Sequence, residues 1–145
     1  MRALPDINIW LALSRSGHVH HEPVHAWLSA MTEAGVVLFC RATQQGYVRL
    51  LTTDVVMRAY GGKALTNQQA WDLQHAWYRD DRVGQASEPA GIEARWKEFG
   101  AIRTASPKLW MDAYLAAFAM AGGFRLVTTD KAFKQFKGLD PLVIR

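Results

Sequence analysis

Short, continuously apolar runs alternate along this chain with longer stretches whose apolar residues recur at helical spacing. The runs are Arg2-Ala3-Leu4, Val36-Val37-Leu38-Phe39-Cys40, a minor one beginning at Val83, Leu126-Val127 within FRLVTTD, and Leu142-Val143-Ile144. Apolar on consecutive positions rather than on alternate ones, they read as strands covered on both faces, which is the condition of a parallel sheet. Between them lie helical patterns. INIWLAL follows Asp6, and a helix containing His25, Ala26, Trp27 and Leu28 runs to Gly35. Thr43 caps a helix through Leu51, Thr66 caps NQQAWDLQHAWY, and Glu88 to Phe99 forms another. Ser14 to Glu22 and Asp54 to Gly62 read as loops, and Arg79 to Arg82 as a short solvated charged turn. Strands alternating with helices predict an α/β fold, a three-layer α/β/α sandwich around a central, mostly parallel sheet. Residues 1–145 form one domain, without repeat or linker.

The most informative stretch is SPKLWMDAYLAAFAMAGGFRLVTTDKAF, from Ser106 to Phe133. Ser106 reads as a helix cap, Pro107 as a first-turn residue and Gly122-Gly123 as the stop. The intervening residues are apolar or small on every side, which predicts a buried helix. Asp112 is the one acid in LWMDAYLAAFAMA, and a carboxylate held there needs a cation, a metal or several donors. FRLVTTD is then a strand that delivers Asp130 at its carboxyl end, where chemistry collects in open α/β sheets. The plain alternative is that Asp130 merely caps the following KAFKQF helix while Asp112 faces solvent. Asp6 alters the balance between the two, because it occupies the same strand-to-helix junction near the amino terminus, with Asn8 placed to bond it or nearby backbone. Three carboxylates brought together repel each other unless a cation intervenes, and the hard-oxygen choice is Mg²⁺ or Mn²⁺.

Composition narrows the classes. Half of the 145 residues are hydrophobic, which excludes disorder, and no apolar run is long enough to cross a membrane. The fold begins directly after Met1 with no leader pattern, and a lone cysteine, Cys40, leaves no internal disulfide; both lead to the expectation of a cytoplasmic protein. The net charge of +4 is compatible with a polyanionic partner. His18, His20, His21 and His25 are closely spaced, but no cysteine neighbours them and the spacing matches no standard zinc module. Neither GxGxxG nor GxxxxGK[ST] occurs, which disfavours a nucleotide-binding module.

Three segments together, LPDINIWLAL, CRATQQGYVRLLT and LWMDAYLAAFAMAGGFRLVTTDKAF, resemble the PIN-domain ribonucleases, and among them the VapC-type toxins of bacterial toxin–antitoxin pairs. The resemblance implies that Asp6, Asp112 and Asp130 bind Mg²⁺ or Mn²⁺. Asn8 matches the polar residue that follows the first acid, and Thr128 or Thr129 the hydroxyl before the last one. Many PIN domains carry a further acid at the start of the helix after the second strand. Here Gln44 and Gln45 stand in that turn, within a TQxGxxRL pattern that a subgroup of VapC-like toxins shares, so one tightly held ion is implied rather than two. The implied activity is hydrolysis of RNA phosphodiesters to 5′-phosphate and 3′-hydroxyl ends. The implied partners are a small antitoxin and a second copy of the chain. Arg49, Arg125, Lys131 and Lys134 are the basic candidates for meeting the RNA backbone. The alternative is a degenerate PIN domain that binds RNA or a protein without cutting.

Overall fold

The computed structural model describes all residues from Met1 to Arg145. Five strands, β1 (Ala3–Pro5), β2 (Val37–Phe39), β3 (Val83–Gln85), β4 (Arg125–Thr128) and β5 (Leu142–Val143), form one sheet in the order β3-β2-β1-β4-β5. Every neighbouring pair is parallel. The helices are α1 (Ile7–Ser14), α2 (His21–Ser29), α3 (Arg41–Leu51), α4 (Asp54–Arg58), α5 (Asn67–Ala76), α6 (Ile92–Gly100) and α7 (Leu109–Gly122).

Chirality places the layers. Right-handed crossovers that step from β1 to β2 to β3 must carry their helices over one face, and the return past β1 to β4 must carry its helices over the other. The core divides accordingly. Ala3, Val37, Phe39, Val83 and Val127 point into a cluster with residues of α1 to α5, among them Trp10, Leu28, Tyr47, Leu51 and Met57. Leu4, Leu38 and Leu126, one position away on the same strands, point into a second cluster with Ile92, Phe99, Leu115 and Phe118 of α6 and α7. Apolar residues on both parities of each strand are thus accounted for by a sheet buried on both sides.

Several element boundaries differ from those the sequence suggests. α2 begins at His21 and ends at Ser29, and Gly35, with φ 63°, belongs to the turn before β2. α3 begins right after Cys40, so Thr43 is not its cap but sits one turn in, where its hydroxyl accepts the Cys40 N–H at 3.0 Å. Asp54 to Arg58 is a helix rather than a loop. The charged turn is anchored: Arg82 grips Asp80 at 2.7 Å and donates to the Leu28 carbonyl at 2.7 Å, tying β3 to the end of α2. α6 starts at Ile92, and KAFKQ after Asp130 is a 3₁₀ turn. α7 starts at Leu109 with no side-chain cap, so Ser106 and Pro107 precede the helix. Its first turn leaves Trp110 and Met111 exposed, and only from Ala113 onward is it apolar and buried as expected.

Tyr47 locks α1, α3 and the turn after α5 together. The Ser14 hydroxyl is spent on the Trp10 carbonyl, so the fully buried Tyr47 hydroxyl donates to Ser14 Oγ and accepts from Trp77 Nε1 at 3.1 Å. Tyr47→Phe keeps the shape, leaves Trp77 Nε1 without an acceptor and takes one of its two bonds from Ser14. It is expected to cost about 1–2 kcal/mol, read as a lower denaturation midpoint with unchanged slope.

Candidate active site

The strand order reverses direction at β1, and the crevice beyond the carboxyl ends of β1 and β4 is the switch point where open α/β sheets take ligands. Asp6 follows β1 there, and Asp130 lies just past the end of β4. The Asp6 N–H extends the ladder to the Val127 carbonyl at 2.9 Å, which fixes its position relative to β4. Asp6 is 6% exposed and caps α1, Oδ1 accepting the Ile9 N–H at 3.1 Å. Its Oδ2 accepts the hydroxyl of Thr128, and the same Thr128 oxygen accepts the Asp130 N–H at 3.0 Å. One threonine therefore links the two strand-end acids. Asn8, half-buried in the first turn of α1, donates through Nδ2 to Thr129 Oγ1 at 2.8 Å rather than to Asp6 or backbone. Asp130 is exposed and does cap the following turn, accepting the Ala132 N–H at 2.8 Å.

Asp112 reaches the same crevice from the first turn of α7, half-buried. Asp6 lies in the field of Asp112, and Asp112 in the field of Asp130. Burial, opposed by the bonds from Thr128 and Ile9, pushes the Asp6 carboxyl up to about 6. Burial and then the Asp130 charge push Asp112 upward as well. None of the chain's ion pairs involves these three acids. No three His, Cys, Asp or Glu side chains converge into a ready-made cage, so the acids stand as a series of neighbours. Oxygen donors under mutual repulsion with no basic side chain to neutralise them suit a divalent cation that keeps several waters.

The two glutamines separate. Gln44 is buried and committed to structure, Nε2 donating to Gln74 Oε1 at 2.9 Å and Oε1 accepting from Arg41. Gln45 is exposed and lines a cleft of about 570 Å³ with Ile7, Gly46, Arg49 and Met111, the residues next to Asp6 and Asp112 among them. Gly46 lets Ile7 pack directly on α3 at that wall, since a Cβ there would come within 2.1 Å of Ile7 Cδ1 and make that side chain turn away. Of the basic candidates, Arg49 borders this cleft, and Lys131 and Lys134 lie exposed beyond Asp130. Arg125 does not belong with them. It opens β4 at the amino edge, roughly 10 Å of strand away, and is engaged with Asp140, Nε donating to its carbonyl at 3.1 Å.

His18 escaped the sequence reading, which put it in a loop with no partner assigned. It is 6% exposed and its Nε2 lies 3.0 Å from Asn8 Oδ1. Nothing in the loop's composition signals this, because the contact spans the gap between α1 and a segment ten residues on.

Comparison with known proteins gives the family. A family model described as PIN domain matches residues 3–139. The chain belongs to the PIN-domain family. It is 54% identical over 138 residues to Ribonuclease VapC41 of Mycobacterium tuberculosis, covering 94% of each chain, which places it with the VapC group of PIN domains. Among solved structures it superposes on M. tuberculosis VapC20, described as a sarcin-ricin loop cleaving toxin, with TM-score 0.64 at 18% identity, covering 96% of this chain and 99% of that one. It also matches VapBC-1 of nontypeable Haemophilus influenzae, TM-score 0.67 at 14% identity, covering 99% and 98%. These two likenesses establish the shared fold.

The Asp6 shift has a measurable consequence. Asp6 holds its proton more tightly folded than its ordinary value of 3.8 allows unfolded. Between the two values the folded state binds more protons, so the Asp6 contribution to stability is greatest at low pH and is lost as pH rises through about 6. Above that range the residual penalty is about 2–3 kcal/mol. Asp6→Asn keeps an N-cap oxygen and removes the charge. In metal-free protein at neutral pH it is expected to raise Tm by about 5 °C, with the gain vanishing toward pH 4, as read by scanning calorimetry. An unchanged Tm at neutral pH would show that the carboxylate is not penalised.

Proposed function

We propose that this chain is a metal-dependent endoribonuclease acting as the toxin of a toxin–antitoxin pair, with Asp6, Asp112 and Asp130 carrying its chemistry. The observation that supports it most directly is the buried Asp6 carboxylate beside Asp112 at the switch point, without a cation from the protein. The name of the 54% identical relative, a ribonuclease, supports the same reaction class.

Asp6 and Asp112 would hold a Mg²⁺ or Mn²⁺ ion, which supplies Lewis-acid polarisation of a phosphoryl oxygen and a water of lowered pKa. Thr128 keeps the Asp6 oxygens oriented, with one of them committed to its hydroxyl. Asp130, exposed at the crevice rim, would bind the ion through water or orient the attacking water by accepting a hydrogen bond from it. Lys131, Lys134 and Arg49 are free of ion pairs and meet the phosphates on either side of the scissile bond. Gln45 offers an oxygen without a charge where another acid would favour a second ion, so a single ion fits the site. Single-stranded or loop RNA fits it better than a duplex, whose deep narrow groove hides the base edges.

A small antitoxin belongs to the same proposal. The VapBC structures that share this fold are toxin–antitoxin complexes. An Arg from such a partner would pair with the free carboxylates and compete with the metal. Pairing of two copies of the chain is carried with it, and sedimentation of the purified protein measures it. No helix is long and apolar enough to cross a membrane.

The test is incubation of purified, antitoxin-free protein with total RNA, with and without Mg²⁺ or Mn²⁺. New 5′-phosphate ends that require the ion support the proposal; binding of RNA without cleavage favours the degenerate PIN domain instead. Asp112→Asn is expected to lower cleavage by at least about a hundredfold while circular dichroism stays unchanged. A folded Asp112→Asn protein with full activity would refute the assignment. Gln45→Glu, which returns a charge to the cleft, is expected to tighten Mn²⁺ binding in calorimetry, and an unchanged affinity would place Gln45 outside the ion's reach.

A further inference from the structure

His18 lies between α1 and α2, buried and packed with its ring 4.8 Å from that of Tyr60. The segment before it is pinned, since a Cβ on Gly17 would meet the Tyr60 carbonyl oxygen at 2.3 Å. The two ring nitrogens have different partners. The backbone N–H of His20 donates to Nδ1 at 3.0 Å, so Nδ1 carries no hydrogen and the neutral ring bears it on Nε2. Nε2 therefore donates to Asn8 Oδ1 at 3.0 Å. That bond decides which way the Asn8 amide faces. With Oδ1 turned to His18, Nδ2 is turned to Thr129 and donates to its Oγ1 at 2.8 Å.

The Thr129 end could not make that choice alone. A hydroxyl both donates and accepts, so it would bond either face of the amide. His18 cannot, because a flipped Asn8 would set Nδ2 against Nε2–H, donor against donor. The polarity matters at the site. Thr129 receives its bond from Asn8, so its own hydrogen stays available for an oxygen in the crevice. In the flipped arrangement that hydrogen would be spent on Asn8. Burial, followed by the charges of His20 and His21, holds His18 toward its neutral form, in keeping with an Nδ1 that accepts.

We propose that His18 is a positioning residue for the aspartate site, fixing the Asn8 amide so that Asn8 holds Thr129, and with it the Thr128–Asp130 turn, in register with Asp6. This rests on the nuclease reading and names a residue outside the acid cluster that the reaction depends on.

The test combines a mutant cycle with a measurement that needs no activity. His18→Phe keeps an aromatic ring against Tyr60 and removes the donor; His18→Gln offers a side-chain N–H in its place. With Mn²⁺ present, His18→Phe is expected to lower kcat about tenfold with KM for RNA little changed, and His18→Gln to recover most of the loss. In an Asn8→Ala background, His18→Phe should have no further effect. Independent, multiplying losses would overturn the proposal, as would a kcat for His18→Phe equal to wild type. In the metal-free protein, the Asn8 side-chain amide resonances should shift in His18→Phe and stay near wild type in His18→Gln. Unmoved resonances would overturn it. If His18→Phe does not fold, the ring ¹⁵N shifts of wild-type His18 decide, with hydrogen on Nε2 expected and hydrogen on Nδ1 refuting. A wild-type protein that cleaves no RNA would end the nuclease reading instead, and the amide resonances would still judge the positioning.

Discussion

The Thr128 hydroxyl joins the ends of β1 and β4 across the point where the sheet reverses direction. It accepts the Asp130 N–H and donates to Asp6, so a backbone turn and a buried carboxylate share one oxygen. Each partner constrains the others. Asp6 cannot leave without exposing the amino end of α1, whose Ile9 N–H it caps, and Asp130 cannot move without breaking the bond that closes its turn. The burial that raises the Asp6 carboxyl to about 6 follows from this arrangement, since a cap placed between two parallel strands at the sheet edge has little access to water. The ionised site is thus electrostatically unfavourable in the isolated chain, and a bound cation would relieve that penalty.

Topology supplies the remaining acid. α7 must cross the face opposite α1 to α5 on its way to β4, and its buried half packs against Leu4, Leu38 and Leu126. The first turn projects past the carboxyl edge of the sheet, where the packing ends and Trp110 and Met111 emerge into solvent. Asp112 sits in that projecting turn. It is placed beside Asp6 by the length of the helix and the handedness of the crossover rather than by any direct bond. This leaves its carboxylate oxygens uncommitted, whereas both Asp6 oxygens accept protein donors.

Much of this was legible in the sequence, for a physical reason. Strands buried on both faces must be continuously apolar, and acids at their carboxyl ends stand out against such runs, so the strand-end positions of Asp6 and Asp130 could be read from the pattern, while their role came from the family resemblance. Asp112 stood out because helix interiors seldom keep a lone acid, although the structure shows its turn to be half exposed rather than buried. The boundaries were harder to read. Ser106 and Pro107 carry start signals, yet the backbone turns helical only at Leu109, and Gly35 carries a stop signal six residues after α2 has ended. Capping residues mark where a helix is able to begin or end, and tertiary packing selects among those places. The role of His18 was beyond reach, because a polar loop gives no sign of which of its members will be folded back into the protein.

The divergent glutamine pair shows how one turn can serve the core and the cleft at once. Gln44 faces inward and needs both halves of its amide, the nitrogen for Gln74 Oε1 and the oxygen for Arg41. Gln45, one residue on and about 100° around the helix, faces the cleft that Ile7 and Met111 flank. Uncharged there, it adds nothing to the repulsion among Asp6, Asp112 and Asp130, so the apo site carries a smaller electrostatic load than a four-acid site would. The same arrangement weakens the case for a second ion, and in the proposed reaction charge compensation would rest on one cation held chiefly by Asp6 and Asp112. With Lys131, Lys134 and Arg49 at its margins, the crevice is acidic at its centre and basic at its rim, a division of charge that suits the proposed single-ion nuclease.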